Sequence, residues 1–118
     1  MSVNRPEGKL RDVFLYNTLT KKIEKLVPTH PGEVRMYFCG PTVYDVAHIG
    51  HARAEIVYDS FRKFLEYLGY RVIFVRNITD VEDKIINRAR EENRPASEVA
   101  LQYMIGYFKD TLRLGIRH

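Results

Sequence analysis

The chain has 118 residues, of which 45% are hydrophobic and 29% are charged, and these proportions are typical of a globular domain. Its 19 Lys and Arg residues outnumber its 15 Asp and Glu residues, but a net charge of +4 is too small to predict a dedicated nucleic-acid-binding surface. No stretch reaches the ~20 uncharged apolar residues of a membrane span, and a single cysteine excludes an internal disulfide framework. We therefore expect one cytoplasmic domain that makes no membrane contact.

The first predicted element is a β-hairpin. Short apolar-rich runs at 13–16 and 22–27 flank the segment 17–20, which reads Asn-Thr-Leu-Thr and favours a turn. A segment rich in Pro and Gly at 28–32 then ends the hairpin pattern.

A strand, a helix and a second strand follow. Residues 34–39 have the composition of a buried strand, and after the loop 40–45 a helical apolar period runs from about Gly50 to Leu68. Gly69 fits the left-handed residue that ends such a helix, and the second strand occupies 70–77. The strands of a βαβ unit are parallel, and its crossover is right-handed.

Two more helices are predicted after the second strand. Thr79 and Glu82 have the spacing of a capping box, which predicts a helix through about Glu92. The other helix runs from near Pro95 to Leu114, with a glycine beyond its end. The predicted fold class is α/β, namely the first βαβ half of a doubly wound, Rossmann-like domain with a preceding hairpin and two following helices.

Ligands of such sheets bind beyond the carboxyl ends of the parallel strands, which here means the loops that start at Cys39 and Asn77. The run His48-Ile49-Gly50-His51 begins the long helix, where unpaired N–H groups and the helix dipole favour a phosphate. Two imidazoles add hydrogen-bond donors there, and Gly50 leaves room for a nucleotide. The pattern therefore predicts nucleotidyl transfer.

Each of these residues also has a purely structural interpretation. Both histidines could cap or pack the helix start, and Thr79 could be a plain helix cap. Cys39 is either a small buried hydrophobe or a metal ligand, and one cysteine cannot make a zinc site unaided. The basic residues from Arg62 to Arg90 are expected mainly on solvated faces, because no aromatic residues interleave them as in a single-strand-binding platform.

Four segments of the chain together carry a resemblance to a known protein family. They are 15–20 (Leu-Tyr-Asn-Thr-Leu-Thr), 36–45 (Met-Tyr-Phe-Cys-Gly-Pro-Thr-Val-Tyr-Asp), 48–53 (His-Ile-Gly-His-Ala-Arg) and 75–86 (Val-Arg-Asn-Ile-Thr-Asp-Val-Glu-Asp-Lys-Ile-Ile). These motifs resemble those of cysteinyl-tRNA synthetases, and the resemblance covers nearly the whole chain in order. It implies a class I synthetase with a Rossmann-like catalytic domain, which activates L-cysteine with ATP to cysteinyl-adenylate and transfers it to tRNA-Cys.

The resemblance also implies roles for single residues. Cys39 corresponds to one of four ligands of a Zn²⁺ ion that binds the substrate thiolate, and a soft metal distinguishes a thiolate from the hydroxyl of serine. His48 and His51 correspond to catalytic, phosphate-binding histidines. The implied site for ATP with its Mg²⁺ comprises Gly40, Thr42, His48, Gly50 and His51, and the implied cysteine pocket comprises Gly40, Thr42 and Thr79.

Proteins of the resembled family continue for several hundred residues, which carry the other three zinc ligands, a second ATP motif with its lysine, and the tRNA-binding domain. We therefore expect residues 1–118 to be the N-terminal part of one catalytic domain, inactive and self-associating when alone, with tRNA contacts made mainly by the absent regions. One alternative is a related ATP-dependent ligase that joins cysteine to an amino sugar in thiol biosynthesis. Another is a non-catalytic nucleotide-binding fragment. Small nucleotidylyltransferases share the histidine motif but lack the Phe-Cys-Gly-Pro-Thr run.

Overall fold

A computed structural model describes residues 10–117 of the chain. Residues 1–9 and 118, which the predicted domain includes, lie outside the described residues. None of the helices in the described part is long and apolar enough to cross a membrane. The elements in chain order are β1 (Phe14–Asn17), β2 (Lys22–Lys25), β3 (Glu33–Phe38), α1 (Ile49–Tyr67), β4 (Arg71–Arg76), α2 (Asp83–Glu91) and α3 (Ala96–Arg113).

The predicted α/β class is confirmed. β1 and β2 form the expected antiparallel hairpin, and β3 and β4 pair with each other on either side of the α1 crossover. Beyond the ends of both strands, Thr42 and Thr79 continue the pairing in the parallel sense. Gly69 has a φ of 97°, which confirms the left-handed residue predicted at the end of α1.

The described residues fall into two compact units, and the first comprises 10–36 and 62–74. Its hairpin turn is held by Asn17, whose side-chain oxygen accepts the Leu19 N–H at 3.0 Å. The Leu26 N–H donates to the Val13 carbonyl at 2.7 Å, which attaches the hairpin to the segment before it. The buried apolar residues of this unit are Val13, Val34, Leu65 and Tyr70.

The second unit comprises 37–61 and 75–117, and its core lies where α2 packs against α3. Ile85 and Ala89 are four residues apart on α2, as are Val99 and Tyr103 on α3, so each pair lies on one helix face. Val43 from the loop after β3 inserts into the same cluster and is 2% exposed. This unit therefore fixes the loop after β3 by burying one of its side chains.

The predicted capping box at the start of α2 is wrong. The N-cap residue is Glu82, it makes no side-chain capping bond, and the helix begins at Asp83. The Thr79 N–H instead donates to the Pro41 carbonyl at 3.0 Å. Because that backbone is committed to pairing with the loop after β3, the helix starts three residues later than predicted.

Candidate functional site

A cavity of about 460 Å³ lies in the second unit, at the carboxyl end of β3 and the N-terminus of α1. It collects residues from the loop after β3, from the first turns of α1 and from α3. Most of the residues predicted to bind ATP are among them. The lining residues are Phe38, Cys39, Gly40, Pro41, His48, Gly50, His51, Ala54, Glu55 and Tyr107.

Both histidines hydrogen-bond the backbone at the start of α1. The Gly50 N–H donates to Nδ1 of His48 at 3.1 Å, and the His48 N–H donates to Nδ1 of His51 at 3.1 Å. A neutral imidazole whose Nδ1 accepts a hydrogen bond carries its proton on Nε2. The capping interpretation is therefore correct for both residues, and each ring keeps an Nε2–H donor for other use.

The two rings lie close together, with centroids 3.9 Å apart and planes tilted by 38°. Burial lowers the pKa of His51 below its ordinary value of 6.5, the charge of His48 lowers it further, and Glu55 opposes both effects. At neutral pH the His51 ring is therefore uncharged, so it acts as a hydrogen-bond donor rather than as a cation.

Gly50 lies close to the His48 ring. A Cβ on residue 50 would lie 2.9 Å from Cε1 of His48, which is closer than side-chain carbons normally approach. The glycine therefore leaves space for the neighbouring imidazole, in addition to any space that it leaves for a nucleotide.

Gly40 is required by a close approach between the two loops. Its N–H donates to Oδ1 of Asn77 at 2.7 Å, and a Cβ on residue 40 would lie 1.8 Å from the Asn77 carbonyl oxygen. Next to this contact, the Val43 N–H donates to the Thr79 carbonyl at 3.2 Å. Thr42 and Thr79 thus lie opposite each other in the junction of the loops, and neither is among the residues that line the cavity.

Cys39 is exposed, so its interpretation as a buried hydrophobe is wrong. Its Sγ lies 3.8 Å from the Gly40 carbonyl oxygen, which is a weak contact. Within residues 10–117, no three His, Cys, Asp or Glu side chains are grouped so that they could hold a metal ion. These residues therefore offer at most two of the four donors of a structural zinc site, and they cannot complete such a site by themselves.

Two residues that line the cavity, Glu55 and Tyr107, belong to a buried charged network with Arg76. The carboxylate of Glu55 is 3% exposed and accepts hydrogen bonds from the Arg76 guanidinium and from the Tyr107 hydroxyl. The Arg76 side chain is 9% exposed, so the prediction of a solvated face is wrong for it. Sequence reasoning missed this network, although Glu55 follows His51 by one helical turn and so shares its face.

The residues of this site lie in a segment that is similar to known proteins. The model of a protein family described as the class I (C) tRNA synthetase catalytic domain matches residues 25–118. The chain belongs to this family.

Several curated proteins of this synthetase family are similar to the chain, and each carries the name cysteine–tRNA ligase. The protein from Persephonella marina is 58% identical over 96 residues, which are 81% of this chain and 20% of that protein. Those from Thermotoga petrophila and Carboxydothermus hydrogenoformans are 54% and 52% identical, over 86% and 87% of the chain. The chain spans about a fifth of the length of these relatives.

The family match includes the whole candidate site. Every cavity-lining residue lies between 38 and 107, inside the matched range 25–118, whereas β1 lies before it. The βαβ arrangement of β3, α1 and β4 is that of a Rossmann-like class I synthetase catalytic domain.

Proposed function

We propose that this chain forms part of the ATP site of a cysteine–tRNA ligase. The observation that carries this proposal is the histidine pair, which lines a cavity at the N-terminus of the 19-residue helix α1. Family membership and the shared name of the relatives support the same activity, and that name favours tRNA over an amino sugar as the acceptor. The enzyme would act in the cytoplasm on ATP with its Mg²⁺, L-cysteine and tRNA-Cys.

The first reaction would be attack of the cysteine carboxylate on the α-phosphorus of ATP. A carboxylate O–P bond forms, and the bond from the α-phosphorus to the bridging oxygen of pyrophosphate breaks. Negative charge grows on the α-phosphate oxygens during this step, and the Nε2–H groups of His48 and His51 can donate to them. The first turn of α1 contains no acidic residue to oppose that charge. Transfer of the cysteinyl group to tRNA then releases AMP.

We assign Gly40, Thr42 and Thr79 to the pocket for substrate cysteine, next to the ATP site. The backbone pairing between their two loops supports this assignment, since it places the three residues side by side. Cys39 precedes this junction and is exposed, so ligands from elsewhere in a longer protein have access to its thiol. We propose it as one ligand of a zinc ion whose other three ligands lie outside this chain.

We infer that residues 1–118 represent the N-terminal part of one catalytic domain and do not form cysteinyl-adenylate alone. Stabilising the α-phosphate of the adenylyl group during its transfer needs donors on several sides, and the histidine pair supplies only one side. Cysteine-dependent exchange of labelled pyrophosphate into ATP measures this step. Exchange by the purified chain would contradict the inference.

The role of His51 is tested in a full-length cysteine–tRNA ligase that contains this sequence. We expect His51→Asn to lower the exchange rate at saturating ATP by about tenfold or more, which corresponds to a donor worth about 1.4 kcal/mol. His30→Asn is the matched control, because His30 is exposed and lies in the other unit. An unchanged rate in His51→Asn would remove His51 from the catalytic residues.

A further inference from the structure

We propose that Tyr107 of α3, anchored by Glu55, is a positioning residue that holds the His51 ring in its orientation. Neither the family match nor the names of the relatives assign a role to α3 or to this tyrosine. The contact between Tyr107 and His51 is a feature of the described residues. Its consequence for ATP binding rests on the proposed function.

The anchor is a buried carboxylate with both oxygens occupied. Oε1 of Glu55 accepts the hydroxyl proton of Tyr107, and Oε2 accepts an N–H of Arg76. Glu55 is 2% exposed and Tyr107 is 4% exposed, so water does not compete freely for these bonds. The Arg76 guanidinium also lies over the Tyr107 ring, 5.4 Å from its centroid. The Tyr107 ring is therefore fixed from its hydroxyl and from one face.

The fixed ring contacts the histidine. The Tyr107 and His51 rings meet edge to face, with centroids 6.4 Å apart and an interplanar angle of 87°. The His48 ring lies against the same imidazole at 3.9 Å. His51 thus contacts two rings, one from the residue immediately before α1 and one from α3.

The hydroxyl of Tyr107 remains a donor over the working pH range. Burial raises the pKa of Tyr107 far above its ordinary value of 10.0, and the hydrogen bond to Glu55 raises it further. A protonated hydroxyl beside a carboxylate forms a charge-assisted bond, which is stronger than a neutral one. The Tyr107 hydroxyl therefore stays protonated and able to donate at neutral pH.

Tyr103 provides a matched control one turn earlier on α3. It is 9% exposed, its hydroxyl lies 3.1 Å from Nη2 of Arg88, and it donates to Oε1 of Glu92 at 3.2 Å. The Arg88 guanidinium lies 5.8 Å from its ring centroid. Tyr103 therefore has the same kind of arginine and glutamate partners, but it does not line the cavity.

The test is NMR of the 118-residue chain with ¹⁵N-labelled histidine, assigned with His51→Asn. In the unmodified chain we expect nuclear Overhauser contacts between the His51 and Tyr107 rings, and a His51 ring protonated on Nε2. Tyr107→Phe should weaken those contacts, shift the His51 ring resonances and mix its tautomers. Glu55→Gln should do the same to a smaller degree, and Tyr103→Phe should leave the His51 signals in place.

The proposal is overturned if Tyr107→Phe leaves the His51 signals unchanged, or if Tyr103→Phe moves them equally. If both Tyr107→Phe and Glu55→Gln fail to fold, the spectrum of the unmodified chain is the test. Missing contacts between the His51 and Tyr107 rings would then refute the proposal, and observed contacts would support it.

Binding of MgATP to the same chains separates this proposal from the proposed function. Where the unmodified chain binds MgATP, Tyr107→Phe should bind about tenfold more weakly. Absence of binding by the unmodified chain would count against the ATP site, while the His51 signals still decide the positioning role.

Discussion

Replacing Gly40 with alanine should break the junction between the loop after β3 and the segment after β4. The added Cβ would lie 1.8 Å from the Asn77 carbonyl oxygen, so the two backbones must separate by about 1.6 Å to reach an ordinary contact of 3.4 Å. The 2.7 Å bond from the Gly40 N–H to Asn77 cannot survive such a movement. Overpacking costs about 1–3 kcal/mol and each lost hydrogen bond about 1 kcal/mol, so we expect a loss of about 3 kcal/mol.

Urea denaturation followed by circular dichroism measures this loss. With a slope of about 1.5 kcal/mol/M, a loss of 3 kcal/mol lowers the unfolding midpoint by about 2 M. Gly106→Ala on α3 is the matched control, because a Cβ there meets no atom within 4 Å. Alanine is also the better helix former, so this variant should gain up to about 1 kcal/mol. A Gly40→Ala chain within about 0.5 kcal/mol of the unmodified chain would refute the predicted close approach.

Three further outcomes are expected. Because the pKa of His51 is lowered by burial and by His48, the unfolded chain binds that proton more strongly, and the free energy of unfolding should decrease as the pH falls through 6.5. The same pH dependence in His51→Asn, measured by urea titrations above and below pH 6.5, would contradict this. The purified chain should lose zinc during dialysis against a chelator, because too few further ligands lie beside Cys39 within residues 10–117. One zinc per chain retained after dialysis, measured by elemental analysis, would contradict this. Ile49 and Val57 on α1 are apolar side chains that are 88% and 57% exposed, so we expect the chain to self-associate. Sedimentation should show an average mass that rises above 13.9 kDa as the concentration increases, and this rise should be smaller for Val57→Lys. A monomer at all concentrations would exclude self-association.

Local patterns predicted most of the elements, because each pattern reflects which face of an element is buried. The apolar period of α1 and the glycine at its end give the same helix in the sequence and in the structure, within about two residues. The start of α2 was predicted wrongly, since Thr79 and Glu82 satisfy a local rule while the Thr79 N–H is used by a residue far away in sequence. Local rules cannot anticipate a backbone group that pairs with a distant segment.

The histidine pair could be predicted as a site because both residues lie within four positions of each other at the start of α1. The buried network of Glu55, Arg76 and Tyr107 could not be predicted, because the sequence does not show that the fold brings these three side chains together. A lone arginine or glutamate is by default assigned to the surface, and only a partner brought by the fold reverses that assignment. Cys39 shows the opposite error, because a cysteine next to a strand suggests burial, whereas the strand ends one residue earlier.

The long separation of these partners has a consequence for synthesis on the ribosome. Glu55 and Tyr107 are 52 residues apart in the chain, and Gly40 and Asn77 are 37 apart. At about 5–20 residues per second, the histidine turn is made roughly 3–10 s before the tyrosine that holds it. Contacts at such separation also form late in folding, because they carry the largest loop-closure cost. The histidine pair is therefore synthesised well before Tyr107, so the final arrangement of the His51 ring is delayed until α3 has been translated and has packed.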